Sequence, residues 1–372
     1  MADSPRADDA LVVSGWSAVS PFGLGAKRFA DGLLGGERTV AALDQEIWPG
    51  PFEKAALVPG FDLVELLGRK GTRSMDRATG LAVAAVGMLL DQHAAGLSER
   101  PESIGLVLGT GSGSVQSIMD FTRDSLVGEK PFHVDPARFP NTVMNRAAGA
   151  SAIWYGLKGP NSTIAGGALT GLLALNYAGR LFRREHCETI VCGAVEEYSV
   201  QRSWLECHAR PRAAGPLGEG SATFLLESAG SARRNDRPRL ATVLGSAFGA
   251  FHRPGTARAA LARCTAQALR RAGVEPATVR VHLPSDAERR LREQENDAVD
   301  DVIGDVAPLR WNCWRQIGDT GAASAAFQLA AALALGQEHP DLGGEIALVT
   351  SVERDGTVGC TVLRYGDPEA TA

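Results

Sequence analysis

Thiol, imidazole and carboxyl side chains that could act as nucleophile, acid or base are few in this sequence. Cys207 and His208 are adjacent, and His282, Cys313 and Asp319 follow in the second half of the chain. They could supply a nucleophile with an acid or base partner if the fold brought them into one pocket. Adjacent side chains rarely face each other, however, and a histidine on an apolar strand is more often a core residue than a catalyst. A site of non-standard composition is therefore one hypothesis.

Phosphate, metal and disulfide sites find less support. The segment 109–113 is rich in glycine but lacks the Lys-Ser/Thr ending of a P-loop, so we interpret it as a tight strand-to-helix turn. The six cysteines show no close paired spacing of the zinc-ribbon kind, and a chain of 372 residues does not need a disulfide framework. We expect reduced thiols, no metal and no cofactor.

The elements that must position any site alternate between strand and helix patterns, which indicates an α/β fold with strands covered on both faces. Strands are predicted at 10–15, 104–109, 189–192, 221–226, 240–244, 279–283, 345–350 and 359–363. Helices are predicted at 77–97, 170–183, 256–272 and 320–335. The helix-then-strand block 170–193 has a counterpart at 320–351, which indicates a duplicated half. We predict two halves, 1–232 and 233–372, joined at a polar link over 233–239.

Composition limits the class of protein. Hydrophobic residues at 44% and charged residues at 22% are typical of a globular protein. The net charge of −5 gives no electrostatic footprint for nucleic acid. No apolar run is long enough to span a bilayer, and the first ten residues lack the order of a signal peptide. We therefore expect a cytoplasmic protein with no nucleic-acid or membrane partner.

Five segments occur in the order in which the β-ketoacyl-ACP synthase family carries similar ones. They are V-V-S-G with V-S-P-F-G at 12–23, R-S-M-D-R at 73–77, G-T-G-S-G at 109–113, the stretch 134–161, and P-L-G-E-G-S-A at 216–222. The chain resembles that family over most of its length. The resemblance implies a thiolase-like α/β fold, in which two duplicated halves form five alternating layers.

The resemblance also implies which residues would do the chemistry, and this chain departs from the family at each of them. After a strand the family reads approximately T-V-S-T-A-C-A-S-G, and the cysteine accepts the acyl chain; here 163–171 reads T-I-A-G-G-A-L-T-G, with Ala168 at that position. A methyl group can neither attack a thioester nor carry an acyl group.

Three further family motifs are altered or missing. Where the family carries a lysine and a catalytic histidine in K-S-x-I-G-H-T, this chain has Trp314 and Asp319, and a carboxylate there would repel an enolate. The other histidine motif, expected after 279–283, is missing, and the glycine-rich motif with its gating phenylalanine is altered at 355–360. The resemblance thus implies a chain that does not condense acyl groups by itself.

A ketosynthase-like chain without this chemistry resembles the chain length factor of type II polyketide synthases. The resemblance implies a heterodimer with a catalytic ketosynthase, forming a β-ketoacyl synthase (acyltransferase) complex that receives a malonyl or polyketide chain from an acyl carrier protein. Chain length factors usually carry glutamine at the nucleophile position, so Ala168 indicates a divergent or highly reducing branch.

In that class of subunit, the strand before the nucleophile position pairs across the dimer axis. Side chains after the glycine loop limit the length of the chain in a tunnel. The implied interface residues are Ser162, Thr163, Ile164 and Ala165, and the implied tunnel residues are Gln116, Ile118, Met119 and Phe121. Ile118 and Met119 equally fit ordinary residues of a helix core.

Two alternatives remain open. One is a pseudo-ketosynthase enzyme, a decarboxylase, acyltransferase or cyclase that acts on a carrier-bound thioester through the non-standard residues named first. The other is a structural homodimer or carrier-docking module, in which Lys158, Arg183 and Arg184 would form a basic face for an acidic carrier protein. Such a handful of basic residues is usually a solvated surface.

Overall fold

The computed structural model describes residues 7–93, 97, 100–209, 215–285 and 289–366. The strands in chain order are β1 Leu11–Ser20, β2 Gly23–Leu24, β3 Ala41–Ala42, β4 Lys54–Ala56, β5 Ile104–Gly109, β6 Asn161–Ile164, β7 Thr189–Glu196, β8 Leu217–Gly218, β9 Gly220–Ser228, β10 Ala241–Ala250, β11 Val279–Leu283, β12 Leu309–Arg310, β13 Ile346–Val352 and β14 Thr357–Tyr365. The helices are α1 Ala26–Leu34, α2 Leu63–Leu67, α3 Arg77–Gln92, α4 Val115–Val127, α5 Arg146–Tyr155, α6 Thr170–Arg183, α7 Val200–Ala209, α8 Ala229–Arg234, α9 Ala257–Ala272, α10 Arg289–Ile303, α11 Trp314–Ile317 and α12 Ser324–Glu338.

The strand order shows the duplication directly. In the first half the strands lie in the order β6-β5-β7-β9-β1, and in the second half in the order β12-β11-β13-β14-β10. If the five strands of each half are numbered from one to five along the chain, both halves have the spatial order 3-2-4-5-1. The first strands of the two halves meet in the middle of the sheet, because β1 pairs with β10 at Val12↔Thr242 and Val13↔Ala241. The two predicted halves therefore share one topology and touch along this edge.

Helices α6 and α12 form the layer between the two halves of the sheet. Residues 325–335 of α12 are buried on every side, as expected for a helix that is apolar all round and lies in the centre of a protein. At the crossing with α6, a Cβ on Gly171 would lie 2.4 Å from the backbone nitrogen of Ala326, so the backbones are in near contact. Helices α3 and α5 cover the outer face of the first half, and α9 and α10 that of the second. The five alternating layers are thus confirmed.

Two predicted helices differ from the structure by several residues, and most of the strands are longer than predicted. The helix predicted at 77–97 ends at Gln92, because His93 leaves the helical conformation and packs its imidazole against Gly15 of β1. The helix predicted at 320–335 begins at Ser324, because Gly321–Ala323 forms a separate tight turn before it. The predicted division between residues 232 and 233 falls within α8 and stays a prediction. Within the described ranges, no helix has the length and apolar character needed to cross a membrane.

Candidate functional site

A cavity of about 620 Å³ opens where the two halves meet at the ends of their strands. Its walls include the turns that precede α6 and α12, the end of β7 and the loop between β13 and β14. From these four elements come Ala168, Ala322, Glu196 and Glu353. Because the carboxyl ends of parallel strands and the amino ends of the following helices meet here, this is where an α/β fold is expected to place a site.

Ala168 lies in the tight turn Gly167–Leu169 between β6 and α6. Gly167 has a φ of 58°, a left-handed conformation that glycine adopts without strain. The hydroxyl of Thr170 donates to the carbonyl of Gly167 at 2.7 Å and accepts from the N–H of Gly166 at 3.0 Å, so the turn is fixed from both sides. Ala168 is half-buried in the cavity wall, at the strand-to-helix junction predicted from the sequence.

The carboxylate of Glu353 lies against this turn. The backbone N–H of Ala168 donates to its Oε2 at 2.7 Å, and the N–H of Arg354 donates to its Oε1 at 2.8 Å. Burial raises the pKa of Glu353 above its ordinary value, the bonds from these two N–H groups oppose the rise, and the nearby charges of Asp319 and Asp355 add to it. A carboxyl group therefore fills the space next to the position where the family's nucleophile is expected.

The second half repeats this arrangement with the partners exchanged. Ala322 lies in the turn Gly321–Ala323 before α12, and its N–H donates at 3.2 Å to Oε2 of Glu196, the last residue of β7. Glu196 is 5% exposed, and its burial raises its pKa, which the charge of Arg202 lowers in part. Each half thus carries a glutamate at the end of its fourth strand or directly after it, and this glutamate accepts a hydrogen bond from the turn before the central helix of the other half.

The stretch 355–360, interpreted from the sequence as the altered glycine-rich motif, lies mostly away from the cavity. Val358, Gly359 and Cys360 are buried within β14 and only Asp355 of that stretch lines the cavity, because the loop between the strands ends before Thr357. Sequence reasoning also missed Glu353 and Glu196. A signal existed, because the pairs Val195-Glu196 and Val352-Glu353 occupy equivalent positions in the duplicated halves.

Asp319 and Trp314, the other two positions singled out from the sequence, line the same cavity as Ala168. The N–H of Asp319 donates to the carbonyl of Pro216 at 2.9 Å, and its carboxylate Oδ1 accepts from the N–H of Gly321 at 2.9 Å. The Asp319 side chain thus stabilises the turn before α12. Trp314 lies on α11, and its ring packs against Gly215.

The hypothesis of a catalytic site built from Cys207, His208, His282, Cys313 and Asp319 does not agree with the structure. Of these five, only Asp319 is among the described residues that line the cavity. His208 is exposed and its ring stacks on Trp204 of the same helix, α7. Cys313 is buried in the core. The described residues also contain no group of three or more His, Cys, Asp or Glu side chains suited to a metal ion.

His282 is a satisfied core residue. Its side chain is fully buried, and its Nε2 lies 2.9 Å from the hydroxyl of Thr350. The hydroxyl of Thr350 in turn donates to the carboxylate of Glu295 at 2.6 Å, and the guanidinium of Arg310 donates to His282 Nδ1 at 3.3 Å. Burial, with a smaller effect of the Arg310 charge, lowers the pKa of His282 to about 3. The imidazole is therefore neutral at physiological pH and is not among the described residues that line the cavity.

The predicted tunnel residues Gln116, Ile118, Met119 and Phe121 lie on α4, which has no fully buried residue. None of them is among the described residues that line the cavity. Met119 is 50% exposed, and Phe121 packs edge-on against Phe139 at 6.1 Å between ring centroids. Other large apolar side chains are exposed in the same region of the chain, namely Leu126, Val127, Phe132, Phe139 and Met144.

The predicted interface residues lie on and just after β6. This strand pairs with β5 and is the outermost of its sheet among the described strands, so its other edge faces outward. Ser162, Thr163 and Ile164 are half-buried and Ala165 is exposed. An unpaired strand edge offers backbone N–H and C=O groups to another chain.

Two sequence comparisons assign the family. The family model described as "Beta-ketoacyl synthase, N-terminal domain" matches residues 8–214. A putative polyketide β-ketoacyl synthase 2 from Streptomyces halstedii is 32% identical over 293 residues, which cover 73% of this chain and 70% of the relative. This chain therefore belongs to the β-ketoacyl synthase family.

Solved structures agree over nearly the whole chain. A chain of the structure described as the ishigamide ketosynthase/chain length factor is 41% identical, with a TM-score of 0.88 and coverage of 96% of this chain and 99% of that one. A chain from a type II polyketide synthase acyl-carrier protein in complex with its ketosynthase bound to the hexaketide has a TM-score of 0.82 at 19% identity, covering 98% and 100%, and shows the fold alone. The thiolase-like α/β fold expected from the sequence is thus confirmed, and the chain is a ketosynthase-like protein.

Proposed function

We propose that this chain is the chain length factor of a type II polyketide synthase, a subunit without condensing activity of its own. The observation that carries the proposal is Ala168 on the cavity wall at the turn before α6, where the family's nucleophile is expected. No cysteine is among the described residues that line this cavity. A condensation that passes through an acyl-enzyme needs a thiolate at this turn, and the methyl group of Ala168 offers none.

The expected partner is a catalytic ketosynthase. A second subunit of the same fold could pair with the outer edge of β6. It would also cover the exposed apolar side chains of α4 and of the segment after it. Several large apolar side chains exposed in one region of the chain are consistent with an interaction site. The similarity to the ishigamide ketosynthase/chain length factor, at 41% identity, supports a heterodimer in preference to a homodimer.

In this heterodimer, Gln116, Ile118, Met119 and Phe121 would line a tunnel shared with the partner. Their partial exposure on α4 agrees with a surface that the partner completes. Each side chain that projects into such a tunnel excludes methylene groups, whose burial is worth about 0.8 kcal/mol each. The carrier-bound polyketide would therefore stop growing when its end meets these side chains. The acyl carrier protein as donor, and the cytoplasmic location, stay predictions from the sequence.

Co-expression with a catalytic ketosynthase of the same source tests the proposal. We expect a one-to-one complex in size-exclusion chromatography, and elongation of malonyl carrier protein that is lost when this chain is left out. A stable homodimer of this chain that turns over a carrier-bound thioester by itself would contradict the proposal and would favour the pseudo-ketosynthase enzyme.

A further inference from the structure

The carboxylate of Glu353 accepts a hydrogen bond from the backbone N–H of Ala168. An acyl group on residue 168 would need this N–H to stabilise its carbonyl oxygen. We infer that Glu353 is an internal block, a fixed anion that closes the former acylation site against thioesters even if a thiol is restored there. The inference rests on the proposed function, because it explains how a non-condensing subunit avoids being acylated by the carrier-bound thioesters it works beside.

The first support is the position of the amide. Ala168 lies in the turn directly before α6, so its N–H is at the positive end of a helix of fourteen residues. An acyl group attached to the side chain of a residue in such a turn places its carbonyl oxygen within reach of the backbone N–H of the same residue, which then stabilises the developing oxyanion. Here that N–H already donates to Glu353 Oε2 at 2.7 Å. A thioester oxygen would have to displace this charged acceptor.

The second support is that Glu353 is held in place. Its other oxygen accepts from the N–H of Arg354 at 2.8 Å, so both carboxylate oxygens have backbone donors. The carboxylate is also packed against the turn itself, since a Cβ on Gly167 would lie 2.6 Å from Oε2. A side chain fixed at both oxygens does not swing away at low cost when a ligand arrives.

The third support is charge. A thiol at position 168 would lie beside this carboxylate and near Asp319, and negative neighbours raise the pKa of a thiol and lower its thiolate fraction. Glu353 would therefore impair both steps of acylation, because it disfavours the nucleophilic thiolate and occupies the oxyanion donor. The equivalent bond between Glu196 and Ala322 shows that the same contact also serves to join the halves, so the test must separate blocking from stability.

The experiment introduces a thiol with Ala168→Cys and compares it with Ala168→Cys/Glu353→Gly, Ala168→Cys/Glu353→Gln and the charge-matched control Ala168→Cys/Asp355→Asn. Asp355 lines the same cavity, but Glu353 and not Asp355 bonds to the N–H of Ala168. Two rates are followed by peptide mass spectrometry at position 168, which separates the introduced thiol from the six native cysteines. They are alkylation by iodoacetamide and acylation by hexanoyl-N-acetylcysteamine.

We expect alkylation to be about tenfold faster or more in both Glu353 double variants than in Ala168→Cys, which corresponds to a fall of about one unit in the thiol pKa. Acylation should be measurable only with Glu353→Gly, because the glutamine amide oxygen can still accept from the N–H. The Asp355→Asn control should stay within about threefold of Ala168→Cys, since a more distant charge acts weakly.

Equal alkylation and acylation rates in all four proteins would overturn the inference and leave Glu353 as a structural tie alone. If Glu353→Gly lowers the melting temperature so far that the chain does not fold, the glutamine variant replaces it. The inference is then overturned if Ala168→Cys/Glu353→Gln is alkylated no faster than Ala168→Cys. These rates are read on the full chain whether or not it binds a ketosynthase, so failure of the proposed heterodimer and failure of the block are separate results.

Discussion

Arg77 and Glu219 form a two-point ion pair that joins the start of α3 to the segment before β9. Arg77 Nε donates to Glu219 Oε2 at 2.6 Å, and its Nη2 donates to Oε1. The Glu219 side chain is completely buried, and its oxygens also accept from the backbone N–H groups of Val58, at 2.9 Å, and Tyr198, at 3.0 Å. One carboxylate thus holds three separate chain segments, and both residues of the pair belong to motifs by which the sequence resembles its family.

Replacing this carboxylate should destabilise the fold. Glu219→Gln leaves the Arg77 guanidinium partly buried without its counter-charge, and breaking a buried pair in this way costs about 3–5 kcal/mol in the free energy of unfolding. Urea denaturation followed by circular dichroism measures the change. Glu37→Gln, which breaks the exposed pair with Arg28, is the matched control and should change stability little. Equal effects of the two substitutions would show that the buried pair contributes no more than a surface one.

Shortening the side chains of α4 should lengthen the product. In the complex with the ketosynthase, Met119→Ala and Phe121→Ala each remove several heavy atoms from the proposed tunnel, and we expect product chains longer by one or two extender units. Product masses from an elongation assay with malonyl carrier protein give the readout. Val64→Ala, on α2 outside the proposed interface and 40% exposed, is the matched control. An unchanged length distribution in both test variants would remove α4 from the tunnel.

A bulky charge at the free edge of β6 should weaken the heterodimer. Ala165 is exposed beside this edge, so Ala165→Arg can be accommodated in the isolated chain but would place a desolvated charge in the proposed interface. We expect at least about a tenfold loss of affinity for the ketosynthase, or about 1.4 kcal/mol. Titration by size-exclusion chromatography or calorimetry measures it.

Ala259→Arg serves as the control for that substitution, because Ala259 is an exposed alanine on α9, which covers the second half far along the strand order from β6. If both arginine variants bind the ketosynthase as tightly as the unaltered chain, the β6 edge is not the interface.

His282 predicts a loss of stability in mild acid. Its folded-state pKa, about 3, lies below the ordinary value of 6.5, so the unfolded chain binds this proton first as the pH falls. The stability associated with neutral His282 is therefore complete above about pH 6.5 and is lost as the pH falls toward 3, by up to about 1.4 kcal/mol per pH unit.

Between pH 7.5 and 5.5 the free energy of unfolding should fall by about 1 kcal/mol more in the unaltered chain than in His282→Gln, which cannot take up the proton. Because both proteins carry the same carboxyl groups, their titration cancels in the comparison. Parallel pH profiles of the two proteins would mean that His282 titrates normally in the folded state.

The elements with strong periodicity could be predicted from the sequence, and those whose partners are distant could not. The bounds of α6, β5 and β11 agree with the prediction, because apolar spacing defines each of them. The strand predicted at 189–192 continues to Glu196, since Gly193 and Ala194, poor strand formers, are fixed by pairing with β9.

The sequence predicted only those cavity residues at which the chain departs from its family. Ala168, Asp319 and Trp314 were singled out because other residues are expected there, and the structure brings all three to one cavity. Glu353 was missed because a glutamate that follows a strand is typical of a solvated turn. Its partner is an N–H 185 positions earlier in the chain, a contact that only the tertiary structure reveals.

The near contact of Gly171 with Ala326 has a consequence for how the protein unfolds. Since the two central helices cross backbone to backbone, and α12 is covered on every side, neither half has an inner surface that water could face without a large cost. Denaturation should therefore be a single cooperative transition, and a polypeptide cut between α8 and β10 should yield fragments that aggregate when expressed apart.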